Sequence, residues 1–134
     1  MTATTMGTKE VIDRYVEAWK RGDVGAIVDC YHDDFTIHYF GKSPLAGDHV
    51  GKAAALSALG KASALTGRKL VEVHDVLATD SHAVILAKER FDHGNKTLDV
   101  TRVFVYHVMD GRLAEAWCYD DDQRAVDEFW SSAT

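Results

Sequence analysis

Three consecutive aspartates, Asp120-Asp121-Asp122, follow a strand-like segment that carries Trp117 and Tyr119. Residues two apart on a strand share a face, so Asp121 falls beside Trp117 and Tyr119 if the strand runs that far. A carboxyl held against apolar rings is desolvated; its pKa rises and it suits proton transfer near neutral pH. The competing reading is a solvated acidic cluster that caps the helix after it. Arg102 and Glu89 form a second charged pair. With a turn at Gly94-Asn95, Glu89 sits across from Val100 and diagonal to Arg102, so both point to one face. Opposite charges inside a fold pair with each other, and either can orient a carbonyl or carboxylate; a purely structural ion pair is the alternative.

Tyr15, Tyr39, Tyr106 and Tyr119 offer hydroxyls to the same region, although a tyrosine on an apolar face is often core with its hydroxyl satisfied. Phe104 lies in the row Val100, Arg102, Phe104, Tyr106 and Val108. Two of the seven histidines, His38 and His74, lie on strand-like segments. Strict alternation turns His38 away from Ile37 and Tyr39, so it reaches a pocket only through a register shift or a frayed strand end. His74 falls on the side of Glu72 and Val76. The histidines show no close pair at ligand spacing, so no metal site is expected. Neither a glycine-rich phosphate loop nor a serine-nucleophile motif occurs.

The elements that must position these residues are legible from periodicity. Thr8 is placed to cap a helix from Lys9 to Arg21, whose Val11, Ile12, Tyr15, Val16 and Trp19 form one apolar stripe. Gly22-Asp23 ends it, and Val24 to Tyr31 reads as a shorter helix. A short strand runs through Phe35, Ile37 and Tyr39 to Phe40. Gly41 to Gly51 is a loop, and Lys52 to Leu65 an alanine-rich helix. From Arg68 the period becomes two. Strands are expected near Arg68–Ala78, Ala83–Asp92, Lys96–Met109 and Arg112–Tyr119, the last two joined by the hairpin dipeptide Asp110-Gly111. A helical tail spans Gln123 to Trp130. Helices followed by a meander of long strands indicate an α+β fold with the helices on one face of the sheet. A sheet curved around three helices makes a cone, and the wide end of a cone leaves a pocket.

At 134 residues the chain is expected to form one domain over 1–134, with 1–7 disordered. A net charge of −6 argues against nucleic acid as a partner and gives no attraction to anionic membranes. Cys30 and Cys118 are too few for a disulfide scaffold and read as reduced core thiols. The first ten residues lack the pattern of a signal peptide, so a cytoplasmic location is expected.

Three stretches, RYVEAWKRGDVGAIVDCYHDDF, SPLAGDHVGKAAAL and VYHVMDGRLAEAWCYDDDQRAVDEFW, together resemble the nuclear transport factor 2-like superfamily. Within it the chain is most similar to the SnoaL-like polyketide cyclases and also resembles the ketosteroid isomerase branch. The resemblance implies a cone-shaped α+β barrel, three N-terminal helices packed in a strongly curved, mainly antiparallel sheet. Asp121 stands where SnoaL-type cyclases carry an acid/base aspartate, with Asp120 and Asp122 as neighbouring candidates. Tyr15 falls where ketosteroid isomerase keeps its oxyanion-hole tyrosine. That enzyme's two aspartates would fall at Tyr39 or His38 and near Phe104 or Val105, where no acid stands. Limonene epoxide hydrolase would need an aspartate at Tyr119.

These readings converge on a small, cofactor-independent enzyme that cyclises or isomerises an apolar, carbonyl-bearing, polyketide-like molecule. Its expected catalytic residues are Asp121, Tyr15, Arg102 and His38. Expected substrate contacts are Tyr39, His74, Glu89, Phe104 and Tyr106, with Trp117 and Tyr119. The alternatives are a non-catalytic binder of a hydrophobic molecule, a dehydratase or epoxide hydrolase of the same fold, and a dimerisation domain whose cone is simply core. A homodimer is expected, with no metal and no cofactor.

Overall fold

The computed structural model describes residues 7–133, so the disorder expected for 1–7 lies outside the described residues except at Gly7. Helix α1 (Thr8–Arg21) buries Val11, Ile12, Tyr15 and Val16, the stripe its spacing predicts. Thr8 is its first residue and not its cap. The Thr8 hydroxyl instead donates to the Asp80 carbonyl at 2.7 Å, tying the helix start to a distant turn. Gly22, in the left-handed region at φ 67°, ends the helix with its N–H on the carbonyls of Ala18 and Trp19. Helix α2 (Val24–Asp29) starts at Asp23, whose carboxylate accepts from the Ala26 N–H.

Six strands form one sheet: β1 (Tyr31–Tyr39), β2 (Gly47–His49), β3 (Lys69–Ala78), β4 (His82–His93), β5 (Lys96–Met109) and β6 (Arg112–Asp120), with α3 (Lys52–Thr66) between β2 and β3 and α4 (Gln123–Ala133) at the end. The order is β2-β1-β6-β5-β4-β3. All pairings are antiparallel except β1 with β6, which is parallel. The curved, mainly antiparallel sheet with helices in its concavity is the cone-shaped α+β fold expected.

Two boundaries differ from the periodicity. The second helix stops at Asp29, and β1 begins at Tyr31, because Tyr31 registers with Leu113 of β6 before the pairing shifts and resumes at Thr36. That irregularity breaks the alternation that would have revealed the strand's first half. Within the loop after Phe40, β2 pairs with the end of β1, Ile37 opposite His49.

The inner face of the sheet is a continuous row. Ala83, Ile85, Ala87, Glu89 and Phe91 of β4 are fully buried, and Val100, Arg102, Phe104 and Tyr106 of β5 lie beside them. On β6 the phase inverts. Tyr106 faces Ala116, His107 faces Glu115 and Val108 faces Leu113, so Ala114 is an extra residue, a β-bulge. Leu113 points inward before it; Ala116, Cys118 and Asp120 point inward after it. Strict alternation from Leu113 therefore assigns Glu115, Trp117 and Tyr119 to the wrong face. Cys30 and Cys118 are free, buried thiols, and burial raises the thiol pKa of Cys118 to about 12.

Candidate active site

Between the N-terminal helices and the inner sheet face lies a cavity of about 460 Å³. Trp19 and Ile27 line it from the first two helices, Leu56 and Leu59 from α3, and Phe35 and Phe104 from the sheet. The apolar lining follows from the sequence: α1 turns its hydrophobic stripe toward the sheet, and the leucines of the alanine-rich α3 face the same space. Polar atoms are few and concentrated. The Tyr15 and Tyr31 hydroxyls share a hydrogen bond of 2.8 Å, and the Tyr15 ring meets Tyr106 edge-on at 5.5 Å. Burial pushes the phenol pKa of Tyr15, Tyr31 and Tyr106 well above the ordinary value, so all three remain protonated donors.

Glu89 and Arg68 complete the polar wall. Glu89 is fully buried. Its Oε1 accepts from Arg102 Nη1 at 3.0 Å, whereas its Oε2 has no hydrogen-bond partner. Arg68 Nε stands 3.6 Å from that Oε2, an ion pair but too long for a hydrogen bond. Burial pulls the Arg68 pKa down, but Glu89, together with Tyr39 and Tyr15, outweighs it; the net shift is upward and the guanidinium stays charged.

The family model described as a SnoaL-like domain matches residues 12–116. The chain belongs to this SnoaL-like family. An uncharacterised protein of Mycobacterium tuberculosis is 28% identical over 124 residues, 91% of this chain and 95% of its own. Bal32a, from a soil-derived mobile gene cassette, is 29% identical with a TM-score of 0.82, covering 91% of this chain and 95% of that one. An NTF2-like protein of Burkholderia xenovorans has the same fold at 23% identity and a TM-score of 0.72, with 92% and 98% covered.

In this SnoaL-like domain the structure brings Tyr15, Glu89, Phe104 and Tyr106 to the cavity wall and separates the others from it. Arg102 lies beneath the wall. Its Nε donates to Asp120 Oδ1 at 2.6 Å, and its guanidinium packs 5.3 Å from the centroids of both Phe91 and Phe104 and 5.6 Å from that of Trp130. It meets Glu89 as the strand register predicts, yet it supports the site and does not line it. Tyr39 is buried but turned toward Trp130, at 5.3 Å between ring centroids, and its hydroxyl has no hydrogen-bond partner.

The bulge at Ala114 removes Trp117, Tyr119 and Asp121 from the cavity. Trp117 stacks on His38 on the outer sheet face, and Tyr119 stacks on Phe40. Asp121 is exposed beyond the strand, its backbone N–H on the Thr101 carbonyl. His38 faces outward as alternation requires, held between the carboxylates of Asp48 and Glu115 at 2.6 and 2.5 Å. His74 sits on the edge strand β3, 3.5 Å from Glu72 and 40% exposed. Among the described residues no three His, Cys, Asp or Glu side chains gather as a metal-ligand set, and no helix is long and apolar enough to cross a membrane.

Sequence reasoning missed Tyr31 and Arg68, and it ranked Asp121 ahead of the neighbouring candidate Asp120. Tyr31 was hidden at a helix–strand junction. Arg68, directly after the helix-ending Gly67, carried a usable signal: a basic residue opening a strand at the cone's wide end. Asp120 becomes the inward member of the acidic run once the bulge is counted. Burial raises its carboxyl pKa, and the attraction of Arg102 offsets this in part.

Proposed function

We propose that this chain is a small acid–base enzyme whose cavity takes an apolar, carbonyl-bearing, polyketide-like molecule and cyclises or isomerises it. The observation that carries the reading is the Glu89 carboxylate. One oxygen is anchored to Arg102, and the other, without a hydrogen-bond partner, stands beside Arg68 at the wall of a mainly apolar chamber. An anchored carboxylate with a free oxygen is a general base held in position.

Glu89 Oε2 takes a proton from the carbon next to the substrate carbonyl. The carbonyl oxygen, as it gains charge, accepts a hydrogen bond from the Tyr15–Tyr31 pair, which shares one proton internally and has a second to donate. The enolate carbon then attacks a second carbonyl in a cyclisation, or is reprotonated at another position in an isomerisation. Glu89 returns the proton to close the cycle. Electrons and protons balance within one substrate molecule.

The test is proton exchange at carbon. Dihydrochalcone, an apolar monoketone small enough for the cavity, would be incubated with the protein in deuterated buffer and followed by NMR. Exchange at the position next to the carbonyl should exceed the buffer rate by about a hundredfold, the usual yield of positioned acid–base groups. Glu89→Gln should return it to the buffer rate while binding persists. Tight binding without exchange would make the chamber a ligand store and overturn the enzymatic reading.

A further inference from the structure

One side of the chamber is held less firmly than the rest. Among the described residues that line it, Val24 of α2 and Gly60 and Ser63 of α3 are the exposed ones. An exposed residue on a cavity wall marks where the cavity meets solvent, so the mouth lies between these two helices. The α3 side is fixed. Ala55, Ala58, Ala62 and Thr66 are buried, and Arg68 Nη2 donates to the Ser63 hydroxyl at 3.5 Å. The α2 side is not. This six-residue helix buries none of its residues, and Val24 is 69% exposed. Among the described residues, Val24 to Val28 make no hydrogen bond beyond their own turns and caps. Their hold on the body of the fold is Ile27, half-buried against the core.

Both ends of α2 are tethered at points that can act as hinges. At the start, Gly22 holds φ 67° and the Asp23 N–H bonds the Ala18 carbonyl at 3.0 Å. At the end, the Cys30 carbonyl accepts from the Leu113 N–H at 2.8 Å, and the Asp29 carbonyl accepts from Arg112 Nε at 3.3 Å. A short segment with fixed ends and few buried contacts opens at a fraction of the global unfolding free energy. Across the gap, a Cβ at Gly60 would meet nothing within 4 Å. Glycine inside a helix costs stability relative to alanine, and no neighbour requires it here; what it leaves is width at the mouth. We infer that α2 is a hinged lid on the chamber, with the passage between Val24 and the Gly60–Ser63 face of α3. Ile27 latches the lid shut, and a ligand enters or leaves when α2 swings away from α3. The inference rests on the cavity being the ligand site and adds to it the route of entry and the residues that control it.

The experiment locks the lid. Val24→Cys and Ser63→Cys in one chain would be joined by a short bismaleimide that carries a cleavable disulfide; the native Cys30 and Cys118 are buried. Dihydrochalcone binding would be followed by stopped-flow tryptophan fluorescence, with Trp19 in the chamber wall as reporter. Joining the helices should slow association and dissociation together, each by at least about tenfold, and cleaving the linker in the same protein should restore both. Gly60→Leu should slow both rates without any linker, because its side chain fills the mouth. In the wild-type protein the Ile27 amide should exchange with solvent at least about a hundredfold faster than the Tyr15 amide of α1, and should slow when dihydrochalcone is bound. Binding rates unchanged by the linker, or an Ile27 amide protected as well as that of Tyr15, overturn the lid. If Glu89-dependent proton exchange at carbon persists in that case, the acid–base reading stands and only the lid falls. If dihydrochalcone does not bind the unlinked protein, both fall.

Discussion

Arg102 and Asp120 stand directly opposite each other on β5 and β6 and are joined by a hydrogen bond of 2.6 Å, with no part of the Arg102 side chain exposed. Glu89 approaches the same guanidinium from β4 at 3.0 Å, so two buried acids share one cation, and Arg68, 3.6 Å from Glu89, supplies the second positive charge. The arrangement fixes the Glu89 carboxylate from behind and leaves one of its oxygens to the cavity.

Arg102→Met removes that shared cation, leaving Asp120 without its ion-pair partner and Glu89 with only the longer Arg68 contact. A loss of about 3–5 kcal/mol is expected in equilibrium urea unfolding, a large part of a domain's stability. Adding Glu89→Gln and Asp120→Asn to the same chain should recover most of it. Strictly additive changes would mean that the three groups do not act as a unit. The deficit in Arg102→Met should shrink as pH falls, because the Asp120 carboxyl, whose pKa burial raises, then folds in its neutral form.

His38 gives the outer sheet face a pH dependence of definite sign. Burial lowers its pKa, but the carboxylates of Asp48 and Glu115 raise it more, and the net shift is upward. A raised folded-state pKa stabilises most below the unfolded value near 6.5, and the contribution is lost as pH rises through the folded value. Melting temperatures across this range should therefore fall more steeply with pH in wild type than in His38→Gln. Parallel curves would show that the clamp contributes nothing.

Tyr15, Tyr31, Tyr39 and Tyr106 all carry phenols whose pKa burial raises, that of Tyr39 to about 12. Their stabilisation is present below the unfolded phenol pKa of about 10 and lost above it. Ultraviolet difference titration should show these phenols ionising together with alkaline unfolding and not before. Early, reversible ionisation of several tyrosines in the folded protein would contradict the buried dyad.

Gly41 sits at φ +93°, and a Cβ there would come within 2.6 Å of Gln123 Nε2 and meet the Asp127 carboxylate. Those two side chains hold the loop by binding the Phe40 carbonyl and the Lys42 N–H. Gly41→Ala should cost about 1–3 kcal/mol in urea unfolding through backbone strain and the lost contact. A neutral result would show that the loop is free of α4.

The sequence carried the helical stripes, the α+β order, the β4–β5 register and the meeting of Glu89 with Arg102, because each rests on an unbroken period and a short turn. It did not carry the facing of Trp117, Tyr119 and Asp121. One added residue at Ala114 inverts every assignment after it, and nothing in the composition of RLAEAW marks where the insertion lies. Tyr31 was lost to a similar break in β1. Arg68 was present in the strand reading, but Glu89 on the neighbouring strand comes beside it only in the observed β3–β4 register, whose two shifts break the alternation.

The parallel pairing of β1 with β6 has a consequence for synthesis. Tyr31 registers with Leu113, roughly eighty residues later, and among the described residues the early strand's other neighbour is the three-residue β2. On the ribosome β1 must therefore wait, its long edge unpaired, until the final strand has emerged. The chamber closes last, and a nascent chain truncated before β6 would present that edge and the apolar helix stripes to chaperones or to other unfinished chains.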